Sequence, residues 1–317
     1  MTLHSARLET TNRPALFWAS WLCAAALVLV PAGMLIGNPA VLRAHPLLPS
    51  ILVAAVVVGL LWGVLLWRGR EVRRRRSALR AAGAWLGRAA VLALVAALAW
   101  LSPFAYQGAS AVAASEISVA ETPTAITMSP VGGQAARGLV FYPGAKVEAR
   151  AYADILRPAV DAGILVVILK EPLNLSLLDG NQARGAMSDH PGIRTWAVGG
   201  HSLGGVSASS FALNNKDVAG LLLFASYPVD SLRDRADLKV LSISGTEDGL
   251  STPGKIVASR QLLPSDAAFL AVQGGNHAYF GDYGEQPGDG EPAVARDVAQ
   301  KQISSATTAF LAGLGAS

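Results

Sequence analysis

The chain has 317 residues, 52% hydrophobic and only 15% charged, whereas a soluble globular chain carries nearer ~25% charge. Its net charge of +4 is unevenly divided: residues 1–107 hold 11 Arg and 2 Glu, while residues 108–317 hold 15 Lys and Arg against 20 Asp and Glu. An acidic globular part argues against nucleic acid as a partner, and the single cysteine, Cys23, excludes an intrachain disulfide and a cysteine-rich zinc site.

The apolar excess lies in the first third. This predicts a membrane region over residues 1–107 and one soluble domain over 108–317. Leu16–Gly37 and Leu47–Trp67 contain no charge, and Ala84–Tyr106 contains only Arg88. Each is long enough to cross a hydrocarbon core of ~30 Å at ~1.5 Å per residue. Arg88, one turn into the third segment, is expected to snorkel toward the headgroups. Cys23 reads as a small buried hydrophobe.

The loop Arg68–Arg80 is strongly basic, whereas Asn38–Pro46 carries only Arg43. The positive-inside rule puts the basic loop in the cytoplasm, with Arg7 and Arg13 of the N-terminus. The third span then carries the chain outward. The expectation is a multi-pass protein of the plasma (inner) membrane with an extracytoplasmic soluble domain. A cleaved signal sequence over 16–37 is an alternative that leaves the domain outside as well.

Gln107–Glu116 is a small, polar tether. Ile117–Ala120 and Thr124–Met128, parted by Thr122-Pro123, predict an antiparallel pair, and Val131–Gln134 a loop. Gly138–Tyr142 reads as a buried strand, Glu148–Ala162 as an amphipathic helix, and Ile164–Leu169 as a strand buried on both faces. A poorly signalled stretch runs to Gly192. Thr195–Val198 is a strand, and Val206–Leu213 lies in a helix. Val218–Ala225, Leu238–Ser244 and Ala267–Val272 are strands; Pro253–Leu263 and Pro292–Leu314 are helices. Strands alternating with helices predict an α/β domain with a mostly parallel sheet.

Between strand and helix stands Gly199-Gly200-His201-Ser202-Leu203-Gly204-Gly205, which contains Gly-x-Ser-x-Gly. A serine on a sharp strand-to-helix turn is exposed for nucleophilic attack, and Gly200 and Gly204 let strand and helix pass closely. A serine needs a base, and the base needs an orienting acid. In the order Ser, acid, His, only His277 lies downstream, in Gly274-Gly275-Asn276-His277 after the last strand. The acid is expected in Gly245-Thr246-Glu247-Asp248-Gly249: Asp248, with Glu247 as the neighbouring alternative. His4, His45 and His190 lie elsewhere, and the His201 side chain is expected to leave the turn in another direction. The oxyanion donors expected are the backbone N–H of Leu203 and that of Ala145, with Gly144 or Lys146 as neighbours.

From about residue 115 onward the chain resembles the α/β-hydrolase superfamily, and more narrowly its dienelactone-hydrolase-like branch, α/β-hydrolase fold 5. The matching stretches are Phe141-Tyr142-Pro143-Gly144, Gly199–Gly205, Gly245–Gly249 and Gly274–His277. The resemblance implies an α/β-hydrolase fold and a serine hydrolase acting on carboxylic esters or related acyl bonds. It differs from dienelactone hydrolases proper in carrying Ser202 where they use cysteine.

Ser226–Asp237 is too short for a cap domain, so an open site is expected. Tyr227, Tyr279, Phe280 and Tyr283 are candidates for its lining or for the core. The acidic, glycine-rich segment Gly281–Gly290 reads as a plain loop, with a substrate rim or a calcium site as alternatives. No metal or cofactor is expected. The partners expected are the membrane and a small-molecule or lipid-like ester. The alternatives are a thioesterase, peptidase or acyltransferase on the same residues, or a membrane-tethered binding protein on an inactive hydrolase fold.

Overall fold

A computed structural model describes residues 15–69, 78–108, 117–132 and 135–315. Arg7, Arg13, most of the basic loop (70–77), the tether from 109 to 116 and Gly133-Gln134 lie outside the described residues. The chain divides into two compact units: residues 1–37 with 50–100, and residues 38–49 with 101–317.

The helices of the first third are α1 (Ala15–Gly37), α2 (Pro39–Arg43), α3 (Leu47–Trp67) and α4 (Ala78–Trp100). Three of them, α1, α3 and α4, are long and apolar enough to cross a membrane. The third runs six residues earlier than the expected 84–106. Pro103 is the reason: proline cannot continue a helix and disfavours the α conformation in the residue before it. Ala, Leu and Arg, good helix formers, extend the other end to Ala78.

Arg88 therefore sits mid-helix, not one turn from the end. Its guanidinium donates to Ser20 Oγ of α1 at 2.7 Å and to the Ala84 carbonyl at 3.1 Å. A polar pair between packed apolar helices satisfies a cation that would otherwise have to snorkel.

The second unit contains an eight-stranded sheet in the order β1-β2-β4-β3-β5-β6-β7-β8. The strands are β1 (Ile117–Glu121), β2 (Ala125–Pro130), β3 (Arg137–Tyr142), β4 (Leu165–Leu169), β5 (Thr195–His201), β6 (Val218–Phe224), β7 (Lys239–Gly245) and β8 (Ala268–Val272). β1 and β2 form the expected antiparallel hairpin, with Thr127 opposite Ala120, and β2 runs antiparallel to β4. From β4 to β8 all pairs are parallel. Flanking helices are α5 (Ala153–Asp161), α6 (Gln182–Ser188), α7 (Leu203–Asn214), α8 (Pro253–Ser259) and α9 (Arg296–Gly313).

The period-2 alternation of each strand feeds two cores. Leu139 and Phe141 of β3 pack with Ile155, Leu156 and Ile303 of α5 and α9. Val140 and Tyr142 pack on the other face with Met187, Ala208 and Phe211 of α6 and α7. Each fully buried large side chain stabilises by roughly 1.5–3 kcal/mol.

The helix expected over 148–162 starts instead as a 3₁₀ turn, Ala149–Tyr152, before α5. Glu148 does not cap it. Its buried carboxylate accepts the Tyr106 N–H at 2.8 Å and pairs with Arg43 at 3.2 Å. The final helix starts at Arg296 rather than 292, because Ala293 N–H bonds back to the Gly274 carbonyl at 2.8 Å. The connection 38–49 is thus part of the sheet unit, and Asn38 Nδ2 also donates to the Pro103 carbonyl at 2.8 Å. The chain after α4 is tied down as well: Phe104 pairs with Val147, and Gln107 N–H donates to the Asp282 carbonyl at 2.8 Å. Between β6 and β7 no strand or helix intervenes, so the segment at the expected cap position is a plain loop.

Candidate active site

Ser202 stands between β5 and α7 with φ 52° and ψ −121°. A non-glycine residue in that region stores about 1–3 kcal/mol of strain. The surroundings hold it there. Ser202 N–H donates to the Phe224 carbonyl at 3.0 Å, and its carbonyl accepts Ser226 Oγ at 2.7 Å. The flanking glycines are sterically required: a Cβ on Gly204 would collide with the Tyr142 and Pro143 carbonyls, and one on Gly200 would enter the Gly204 backbone.

The other positive-φ non-glycine residues among those described are Lys146, Leu173, Asn174 and Ala225. They follow β3, β4 and β6 at their C-terminal ends, as Ser202 follows β5. Strain is therefore gathered at one end of the parallel sheet, where α/β proteins bind their ligands.

Asp248 and His277 come from the loops after β7 and β8. Asp248 is 3% exposed and His277 is fully buried. His277 Nδ1 lies 2.9 Å from Asp248 Oδ2. Asp248 Oδ1 accepts the N–H groups of Leu250 at 2.8 Å and Ser251 at 2.7 Å. An ionised carboxylate only accepts, so the geometry suits an imidazole with a proton on Nδ1, facing Asp248, and leaves Nε2 for the serine side. Nε2 has no hydrogen-bond partner among the described residues, Ser202 included; such contacts are often loose before substrate binds. Glu247, the alternative acid, is exposed and accepts from Thr246 Oγ1 at 3.1 Å.

The turn after β3 distinguishes the candidate oxyanion donors. Gly144 N–H donates to Tyr152 Oη at 2.9 Å, and Lys146 N–H to the Asn174 carbonyl at 2.8 Å. The Gly144 and Lys146 hydrogens are thus already engaged. Ala145 N–H and Leu203 N–H have no protein acceptor among the described residues.

Four residues at this end were given no role by the sequence reading. Asp289 Oδ1 accepts N–H groups from Gly249 at 3.2 Å, His277 at 3.1 Å and Gly290 at 2.7 Å, and Oδ2 that of Ala278 at 2.8 Å. A ring of N–H donors suits an anion, so this carboxylate is not poised for calcium. Its signal was present: Pro287-Gly288-Asp289-Gly290 is a turn sequence whose aspartate reaches nearby backbone. Tyr152 and His201 are fully buried and hydrogen-bonded to each other. Glu171, just past β4, is 2% exposed, and neither carboxyl oxygen has a hydrogen-bond partner among the described residues. Burial pushes its carboxyl well above the usual carboxylate range, which favours the neutral form. Of the aromatic candidates, Phe280 and Tyr283 are core, while Tyr227 and Tyr279 are half-buried.

The model of the Alpha/beta hydrolase family matches residues 138–302, just over half of the chain. A comparison with curated protein sequences finds no match. Solved structures of similar fold include a predicted CIB-like hydrolase from Thermoplasma acidophilum, 17% identical over 62% of this chain and 100% of the other, with a TM-score of 0.47. A dienelactone hydrolase from Anabaena variabilis is 13% identical over 63% of this chain and 99% of its own, at 0.47. Est1E from Butyrivibrio proteoclasticus is 11% identical over 62% and 100%, at 0.45. With the family matched over β3 to α9, the chain belongs to the Alpha/beta hydrolase family.

Proposed function

We propose that the protein is a serine hydrolase of carboxylic esters, anchored in the inner membrane with its hydrolase domain outside the cytoplasm. The observation that carries this reading is the 2.9 Å hydrogen bond between buried His277 and Asp248, beside a serine held at φ 52°. The two loops meet closely: the ring of His201, next to Ser202, lies 4.5 Å from that of His277.

In this reading Ser202 Oγ attacks the ester carbonyl while His277 Nε2 takes its proton. Asp248 remains ionised and stabilises the imidazolium. The N–H groups of Leu203 and Ala145 receive the oxyanion; one such donor is worth roughly 3–4 kcal/mol. The imidazolium protonates the departing alkoxide, leaving an acyl-Ser202. Water, deprotonated by the same imidazole, then attacks the acyl carbon, and Ser202 Oγ recovers the proton as the carboxylic acid leaves. The elbow strain and the position of the site at the sheet's C-terminal end speak against an inactive binding domain.

Membrane anchoring is supported by the three long apolar helices, and orientation by the arginines of the loop after α3. Two spans, α3 and α4, separate the connection 38–49 from the hydrolase domain, and an even number of crossings puts both on the same side, in keeping with their membership of one unit.

The test is ester turnover by the full chain in detergent. Ser202→Ala should abolish p-nitrophenyl ester hydrolysis and leave the fold intact; wild-type turnover by that variant would refute the reading. Matched thioesters and amides in the same assay should turn over more slowly than esters.

A further inference from the structure

We propose that Tyr152 and His201 are positioning residues, a buried bridge that holds the Pro143–Lys146 turn in place against the loop of His277. This inference rests on the reading of Ser202, His277 and the Ala145 N–H given above.

The bridge is continuous. Gly144 N–H donates to Tyr152 Oη at 2.9 Å, and Tyr152 Oη lies 2.8 Å from His201 Nδ1. Both side chains are fully buried. Burial drives the Tyr152 phenol well above its ordinary range, so it keeps its proton. The Gly144 contact already brings a hydrogen to Tyr152 Oη. The phenolic proton needs an acceptor of its own in this buried site, and His201 Nδ1 is the hydrogen-bond partner in reach. The bridge as proposed therefore has His201 as the Nε2–H tautomer.

The far side of the His201 ring faces the base loop. Its centroid lies 4.5 Å from that of His277 and 6.0 Å from that of Phe280, nearly parallel to the latter. Burial and the neighbouring His277 push His201 well below the ordinary histidine range, against a weaker opposing effect of the His277 backbone. His201 therefore stays neutral while His277 takes up the serine proton, and two charged imidazoles never face each other.

Steric fit supports the same role. A Cβ on Gly144 would stand 2.7 Å from His201 Nδ1 and 3.1 Å from Tyr152 Oη. The turn thus rests directly on the bridge, and Ala145 N–H, the next group along, takes its direction from it. A misplacement of about 1 Å in such a donor costs on the order of 100-fold in rate.

The experiment compares Tyr152→Phe, His201→Phe, His201→Asn and the double Tyr152→Phe/His201→Phe variants with wild type and Ser202→Ala, all as full chains. Asparagine at 201 offers an acceptor near the Nδ1 position; phenylalanine keeps bulk only. We expect Tyr152→Phe and His201→Phe each to lower kcat about 10–100-fold with KM within about twofold. The double variant should be no worse than either single one, and His201→Asn should recover most of the lost kcat. Additive losses, KM changes in place of kcat changes, or wild-type kcat in a folded Tyr152→Phe protein would overturn the bridge. Independently of turnover, ¹⁵N spectra of His201 should show a neutral Nε2–H ring through pH 5–8 in wild type; an Nδ1–H or charged ring would overturn it even if Ser202→Ala is inactive. If Ser202→Ala remains active, the hydrolase reading itself fails.

Discussion

The carboxylate of Asp289 holds the backbone of His277: Oδ1 accepts the His277 N–H at 3.1 Å. The same oxygen also receives Gly249 N–H, immediately after Asp248, at 3.2 Å. One side chain thus ties the loop of the proposed acid to the loop of the proposed base. Asp289→Ala should lower kcat at least about 10-fold. It should also destabilise the fold by about 1–3 kcal/mol, because buried donors lose a charged acceptor. Asp289→Asn, which retains one acceptor oxygen, should fall between. Steady-state kinetics and denaturant unfolding check this; a folded Asp289→Ala protein with wild-type kcat would contradict it. Calcium or EDTA should leave Tm unchanged, since the oxygens face N–H groups.

Glu171 makes stability depend on pH. Its acid form is favoured in the fold, so its folded pKa lies above the unfolded one. The stabilisation from its neutral form is complete below the unfolded carboxylate range and is lost as pH rises through the folded value. Between those limits the slope approaches about 1.4 kcal/mol per pH unit. Glu171→Gln removes this slope. Relative to wild type, Glu171→Gln should gain stability from pH 5 to pH 8 in denaturant melts; a constant difference would contradict a neutral Glu171.

Gly200→Ala tests the elbow. The added Cβ would meet Gly205 N at 2.6 Å, and backbone on both sides cannot move aside. The expected loss is about 3 kcal/mol or more of stability, at or above the top of the usual overpacking range, together with loss of ester turnover. A stable, active Gly200→Ala protein would show that strand and helix are not so close.

Topology is open to an independent check. Phosphatase fused after Ser317 should be active and GFP at the same point dark in a bacterial host. The reverse pattern would place the hydrolase domain in the cytoplasm.

Much of this architecture is legible in the residues. Gly138–Tyr142 and Ile164–Leu169 are short apolar runs bounded by turn signals, and both are central strands. His277 could be singled out by order alone, because it is the one histidine after Ser202. Asp248 needed its place in a glycine-flanked loop past a strand, since five other aspartates and Glu247 also stand between Ser202 and His277. What was not legible depends on partners distant in the chain. The third span was placed late because its apolar composition continues through residues that Pro103 keeps out of the helix. Gly144 stood as a neighbour of the expected donor Ala145, and nothing local reveals that Tyr152 engages its hydrogen. Arg88 looked like a snorkelling residue because its partner, Ser20, lies 68 positions away. The Gly281–Gly290 segment reads as a plain loop, because its turn sequence shows that Asp289 can reach backbone but not that this backbone belongs to the loops of Asp248 and His277.

Active-site labelling tests the central claim most directly. The full chain, treated with a fluorophosphonate and digested, should yield one phosphonylated peptide modified at Ser202. Ser202→Ala should yield none, and folded His277→Ala should label at least about 100-fold more slowly. Adduct on another residue, or unchanged labelling of Ser202→Ala, would contradict the account.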